Sequence, residues 1–263
     1  MKIRDVMKTE LYTIDINSPI TQAIKKMEKY GIRRLLVTRK GEIIGIVTEK
    51  DIIRRLGAEK ERKLAPTHIF VSSACTKGLI TVETTDDVRE AGMRMLKENV
   101  SSLIVKEDGR IVGIVTKADL LQVLFDSKQP VESVMRKLVH VSPDDSALMV
   151  RKIMLNKNLK ELPVIEGNRI VGIVNEVELA KAMIGLRKTI EGADMRRRFK
   201  SLRVRDLMKV CTDWVDVKDG IGKVAKLMVE KGLNTLPVVK DGIPVGIVTK
   251  TDLVRACVAS SKK

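Results

Sequence analysis

The stretch Gly45-Ile-Val-Thr-Glu-Lys-Asp51 returns three times in this 263-residue chain. The later copies are Gly113-Ile-Val-Thr-Lys-Ala-Asp119, Gly172-Ile-Val-Asn-Glu-Val-Glu178 and Gly246-Ile-Val-Thr-Lys-Thr-Asp252. Each glycine lies six positions before its acidic residue, whereas successive glycines stand 68, 59 and 74 residues apart. A fixed motif on unequal linkers restricts the chain to one supersecondary unit used four times.

The spacing extends upstream. Fourteen residues before the glycines stand Gly31, Asn99, Asn158 and Gly232, residue types that tolerate the left-handed conformation closing a helix. An apolar stripe at helical spacing precedes each stop: Ile20, Ala23, Ile24 and Met27; Val88, Ala91, Met95 and Leu96; Ala147, Val150 and Met154; Ile221, Val224 and Met228. Ser18-Pro19 predicts a cap followed by proline in the first helical turn. Apolar runs follow (Leu35-Leu36-Val37, Leu103-Ile104-Val105, Leu162-Pro163-Val164, Leu236-Pro237-Val238), then a polar turn and the Gly-Ile-Val run, which together predict a hairpin. A second helix opens at the Thr or Asn. Each unit therefore reads strand, helix, strand, strand, helix, an α/β (α+β) pattern. Units of roughly 55–60 residues bury little core alone, so they are expected to fold in pairs.

On these motifs each unit resembles a cystathionine-beta-synthase (CBS) domain, over 1–58, 66–126, 127–187 and 201–260. Four in one chain resemble two tandem-pair (Bateman) modules. The arrangement is similar to the gamma subunit of AMP-activated protein kinase and its stand-alone archaeal relatives. That likeness implies a disc of four domains without catalytic activity. It implies reversible binding of an adenine nucleotide (AMP, ADP or ATP) between paired units, with a regulated protein or a homodimer as partner.

Three segments precede the units in matching form: Arg4-Asp5-Val6-Met7, Glu132-Ser133-Val134-Met135 and Arg205-Asp206-Leu207-Met208. The second unit has Phe70-Val71-Ser72 instead, and its leading segment is expected to depart from the others. Polar, basic connectors run from Arg54 to Lys63 and from Arg187 to Arg205, the latter carrying Arg196-Arg197-Arg198.

Apolar residues make up 44% of the chain and aromatics 2%, so the core must be aliphatic. No apolar run reaches membrane-spanning length, and Met1-Lys2-Ile3-Arg4-Asp5 lacks a signal-peptide core. Three scattered cysteines (Cys75, Cys211, Cys257) suit a reducing cytoplasm and form no metal motif. The net charge of +16 has three readings: a solvated lysine-rich surface, an anionic small ligand or a nucleic acid. Few aromatics count against single-strand stacking, and nucleic acid is the runner-up partner. His68 and His140 are the only histidines and have no evident catalytic partner; no P-loop or nucleophile elbow is present.

Thr-x-x-Asp at a strand-to-helix turn has a structural reading, in which Thr caps the helix and Asp completes a capping box. Asn175 with Glu178 preserves that logic, so capping alone accounts for every copy, and a scaffold without ligand is a third function class. The chemical reading adds that an ionised Asp accepts both hydroxyls of a ribose diol, while a hydroxyl and free N–H groups at a helix start receive phosphate. The resemblance places nucleotide contacts at Ile46, Thr48 and Asp51, at Ile114, Thr116 and Asp119, and at Ile247, Thr249 and Asp252. The third copy is expected to be impaired or silent. The resemblance adds phosphate contacts from basic residues just before the second strand, here Arg33, Arg34 and Lys160, where the second and fourth units have Ser101-Ser102 and Asn234-Thr235. It adds base contacts from the first strand, at Tyr12-Thr13, Ile80-Thr81 and Val139-His140. One of two adjacent arginines entering an apolar strand must point inward.

Overall fold

The computed structural model describes residues 1–57, 68–189, 201–210 and 213–259. The first repeat runs β1 (Thr13–Asp15), α1 (Ile20–Tyr30), β2 (Arg34–Arg39), β3 (Glu42–Thr48) and α2 (Glu49–Gly57). The second opens with a short β4 (Thr76–Lys77), then β5 (Thr81–Glu83), α3 (Val88–Lys97), β6 (Ser102–Glu107), β7 (Arg110–Thr116) and α4 (Lys117–Leu120). In the third come β8 (Arg136–Lys137), α5 (Ala147–Lys157), β9 (Glu161–Glu166), β10 (Arg169–Asn175) and α6 (Glu176–Thr189). The fourth has β11 (Val215–Asp216), α7 (Ile221–Glu230), β12 (Thr235–Lys240), β13 (Ile243–Thr249) and α8 (Lys250–Ala259).

The punctuation matches the sequence pattern. Gly31, Asn99, Asn158 and Gly232 all have positive φ, between 51° and 66°. The hairpins β2–β3, β6–β7, β9–β10 and β12–β13 are antiparallel. Three details differ. Pro19, not Ser18, is the residue at the N-cap of α1, and no side chain caps that helix. The first strand of the third repeat shrinks to a single bridge, Val141 to Val164. Phe70-Val71-Ser72 does not set the second repeat apart: Val71–Ser73 forms the same 3-10 turn as Ile3–Asp5, Val131–Ser133 and Val204–Asp206. A single buried β-branched or branched apolar residue anchors each turn (Ile3, Val71, Val131, Val204), so the flanking polar sequence is free to vary.

Repeats pair by exchanging these leading segments. Lys8 of the first repeat bridges Ile114 of the second, and β4 of the second pairs with β3 of the first. Likewise β8 of the third repeat pairs with β13 of the fourth, and Lys209 of the fourth bridges Ile173 of the third. The motif glycines make room for this crossing. A Cβ on Gly45, Gly113, Gly172 or Gly246 would lie 2.6, 2.8, 2.7 or 2.8 Å from the backbone oxygen of Thr76, Lys8, Lys209 or Arg136, closer than carbon and oxygen pack.

Helices then join the two pairs. α2 packs on α6, linking repeats one and three, and α3 packs on α8, linking two and four. The two joints differ. Repeats two and four share one apolar cluster, with Met95, Leu103, Leu120, Met228, Leu236 and Leu253 buried in it. Among the described residues, repeats one and three fall in separate clusters, around Ile20, Met27, Ile52 and Leu56 and around Val150, Met154, Leu162 and Leu179. Ionic links also run between them, such as Lys181 Nζ to Glu28 Oε1 at 3.1 Å.

Candidate functional site

In three copies the motif closes as a reciprocal box. Thr48 N and Oγ1 donate to Asp51 Oδ2 at 3.0 and 2.5 Å, and Asp51 N donates back to Thr48 Oγ1 at 3.3 Å. Thr116 N and Oγ1 reach Asp119 Oδ2 at 2.8 and 2.7 Å. Thr249 N and Oγ1 reach Asp252 Oδ2 at 2.9 and 2.6 Å. The third copy keeps half of it. Glu178 N donates to Asn175 Oδ1 at 2.9 Å, but the longer side chain turns away to Lys209 Nζ, 2.9 Å distant. Asn175 and Glu178 therefore do not preserve the full capping logic.

Each box engages Oδ2; at Asp252 that oxygen also accepts from Arg136 Nε at 3.0 Å, and in the other two Oδ1 is left for another partner. Asp119 Oδ1 lies 3.8 Å from Lys8 Nζ. Asp252 Oδ1 lies 2.9 Å from both Arg136 Nε and Arg255 Nη1, and Arg136 Nη2 donates to Thr249 Oγ1 at 3.1 Å. Asp51 Oδ1 meets no cation among the described residues. Burial follows the same order. Ile46, Thr48 and Asp51 are all half-buried; Ile114 and Thr116 are half-buried over a buried Asp119. Thr249 and Asp252 are buried, and Ile247, 1% exposed, is packed in the third repeat's cluster and offers a ligand no surface here.

The basic residues before the second strands converge between the pairs. Arg34 points inward and donates through Nη1 to Ser101 O at 3.0 Å, tying repeat one to two. Arg33 reaches Gly232 O at 3.4 Å and stands 3.7 Å from Glu161 Oε1. Lys50 Nζ donates to Asn158 Oδ1 at 3.3 Å, and Lys117 Nζ to Thr251 Oγ1 at 3.1 Å. Neither Lys160 nor Lys250 has a hydrogen-bonded or ion-paired ammonium among the described residues. These cations feel one another. Burial, then Lys160 and Arg255, push Lys117 down to about 8. Burial, then Arg33 and Arg34, take Lys250 to about 8. Burial lowers Arg34 to about 10, and desolvation lowers Lys160 too, although that residue keeps an exposed surface. Glu49, Glu161, Glu176, Asp119 and Asp252 oppose seven cations (Arg33, Arg34, Lys50, Lys117, Lys160, Lys250, Arg255), so the wall holds an excess of positive charge.

Desolvation of these lysines, with the neighbouring cations, sets a pH response. The folded protein gives up the Lys117 and Lys250 protons near pH 8, whereas the unfolded chain holds them to about pH 10.5. Between these values the unfolded state binds more protons, so stability rises with pH there. The melting temperature is expected to climb between about pH 8 and about pH 10.5. The Lys117→Met/Lys250→Met double variant should lose that climb; an equal climb in the double variant would place its origin elsewhere.

Ile80 and Val139 are half-buried beside the apolar clusters of their own repeats, and Ile80 O accepts from Ile104 N at 2.9 Å. His68 and His140 are exposed. Among the described residues, no group of three or more His, Cys, Asp or Glu could hold a metal, and no helix is long and apolar enough to cross a membrane. Arg196-Arg197-Arg198 lies outside the described residues. Sequence reasoning missed Lys117, Lys250 and Glu161. The first two stand directly after the motif Thr, a signal that was readable. It also missed Lys8, Arg136 and Lys209, whose role depends on which repeat they cross into.

A chain of four repeats, each a hairpin between two helices and each completed by its neighbour's leading strand, is a CBS-domain architecture. The protein belongs to the CBS-domain family, whose model matches residues 3–58, 71–126, 131–185 and 204–259. Over 97% of each chain it is 25% identical to the uncharacterized protein MJ1225 of Methanocaldococcus jannaschii. The crystal structure of MJ1225, described as a proposed archaeal homolog of g-AMPK, superposes with a TM-score of 0.79 at 22% identity, covering 97% of this chain and 99% of that one. An uncharacterized 33.4 kDa protein of a Thermofilum pendens ribosomal RNA operon is 26% identical over 92% of this chain and 86% of its own length. An uncharacterized conserved protein from Pyrococcus horikoshii gives a TM-score of 0.66 at 20% identity, covering 98% and 100% of the two chains.

Proposed function

We propose that this CBS-domain protein is a non-catalytic regulator that binds an adenine nucleotide (AMP, ADP or ATP) at its Thr-x-x-Asp turns, with the phosphates directed at the central cations. The observation that carries the reading is Asp51. Its Oδ2 is held by Thr48 and, among the described residues, its Oδ1 is without a cation, at the start of a helix one residue from Lys50. A carboxylate so fixed accepts a ribose diol without first reorganising. The uncompensated positive wall supplies what a phosphate chain requires. A ligand acts on a partner only through different affinity for two arrangements of the pairs.

The test is calorimetric titration of AMP, ADP and ATP into the protein and into Asp51→Ala. Loss of two charge-assisted hydrogen bonds predicts an affinity drop of about tenfold to a hundredfold at one site. Unchanged affinity in Asp51→Ala rejects the site. No response to any nucleotide, with salt-dependent retention of a DNA duplex, would move the function to the basic surface.

A further inference from the structure

The four leading segments bring different residues to one equivalent place. In each repeat the motif isoleucine is crossed by the residue that follows Met7, Met208, Met135 or Cys75: Ile114 by Lys8, Ile173 by Lys209, Ile247 by Arg136 and Ile46 by Thr76. Three of those are cations, and each is ion-paired with the motif acid of the repeat that it enters, at 3.8, 2.9 and 2.9 Å. Only Thr76 is uncharged. The next residue, Lys77, stands opposite Gly45 and so points to the other face of the strand. Arg54 follows Asp51 at the spacing at which Arg255 follows Asp252, but it is exposed and makes no ion pair with Asp51 among the described residues.

We infer that the exchanged leading segments ration ligand access: the crossing cation is an internal competitor for the acid's second oxygen, and Thr76 leaves the first repeat as the preferred nucleotide site. This rests on the nucleotide reading above and deepens it. A ribose diol arriving at Asp252 meets a carboxylate whose two oxygens are already engaged by two guanidiniums, one of which also holds Thr249. It must break those bonds before it makes its own. At Asp119 the competitor is weak, because Lys8 is 69% exposed and 3.8 Å away, a separation and exposure at which ion pairs contribute little. At Glu178 the acid has already swung to Lys209. The resulting order of affinity is Asp51, then Asp119, then Asp252, with Glu178 silent. Occupancy is also tied to pairing, since the displaced Arg136 sits on β8, the strand that joins repeat three to repeat four.

Two substitutions act in opposite directions, so general loss of stability cannot imitate both. Thr76 is exposed, and Thr76→Lys installs at the first repeat the cation that the others carry. Arg136→Thr makes the fourth repeat resemble the first, while Arg255 and Thr249 still hold Asp252. AMP is titrated calorimetrically into the full chain and each variant, with melting curves recorded alongside. The expected result is a single strongest site in the parent, weakened about tenfold by Thr76→Lys, a penalty that salt relieves. Arg136→Thr should strengthen binding at the fourth repeat without matching the first, because Arg255 still holds Asp252 Oδ1. If the parent binds AMP and loses that site in Asp51→Ala, yet neither variant changes affinity or stoichiometry, the rationing is wrong and the nucleotide reading stands. If the parent binds no AMP, ADP or ATP, the nucleotide reading falls and this inference with it.

Discussion

Gly222→Ala is expected to destabilise the protein by about 3 kcal/mol, the reverse of what helix propensity alone predicts. Gly222 lies within α7, where alanine normally gains about 1 kcal/mol over glycine. Here a Cβ would stand 2.5 Å from Phe125 O and 2.8 Å from Leu124 O. Both are backbone atoms at the end of the second repeat, so no rotamer change relieves the clash, and α7 must move off the shared apolar cluster. Gly92 in α3 is the control. Its nearest neighbours would be Val258 Cγ2 at 3.0 Å and Val254 Cγ1 at 3.4 Å, tips of side chains that can give way. Chemical denaturation of both variants checks the pair. Equal effects would show that propensity, not backbone proximity, decides the joint between repeats two and four.

Glu161→Ala is expected to cost about 3 kcal/mol. This carboxylate, 5% exposed, accepts from Asn234 N at 3.1 Å, Asn234 Nδ2 at 2.7 Å and Thr235 N at 3.1 Å. Removing it strands two backbone donors at the start of β12 and leaves Arg33 facing other cations. The first pair uses the equivalent position with opposite charge, since Arg34 donates one hydrogen bond to Ser101 O. Arg34 is held against a desolvation cost that lowers its pKa to about 10. Arg34→Met should therefore cost less than about 1 kcal/mol, because replacing a buried charge with an apolar side chain is often neutral. Urea denaturation without ligand measures both. A Glu161→Ala loss below about 1 kcal/mol would mean that water replaces the carboxylate.

The repeat unit was legible because its signals are local. Gly31, Asn99, Asn158 and Gly232 mark helix ends through their own backbone preference, and the hairpins follow from short turns between β-branched runs. The pairing of units followed from size. The exchange of leading segments was not legible. Lys8 and Arg136 contact acids more than a hundred residues away, and no local pattern reports which sheet edge a short segment joins. Phe70-Val71-Ser72 misled because the turn is anchored by one buried side chain rather than by its polar flanks. At the motif, the Thr–Asp box was readable from three-residue spacing. Its second oxygen was not, since its partner is set by topology. Arg33 and Arg34 were readable as a pair with one inward member. Their opposition to Lys250 and Glu161 depends on how the two pairs meet.

The exchanged strands also constrain the order in which the polypeptide can mature as it leaves the ribosome. The first repeat lacks β4 until residue 77 has emerged, and the third lacks the strand around Lys209 until the fourth has begun. Neither can close on its own, so each is obliged to wait with an unpaired sheet edge. The cluster shared by the second and fourth repeats also draws in Ile3, Val6 and Val131. It thus gathers residues from before the first repeat through the fourth, and it sets only once the fourth repeat has emerged. Truncation anywhere after the second repeat removes part of that cluster, so a shortened product should be met by the cell's proteases as an open chain and not as half of a working regulator.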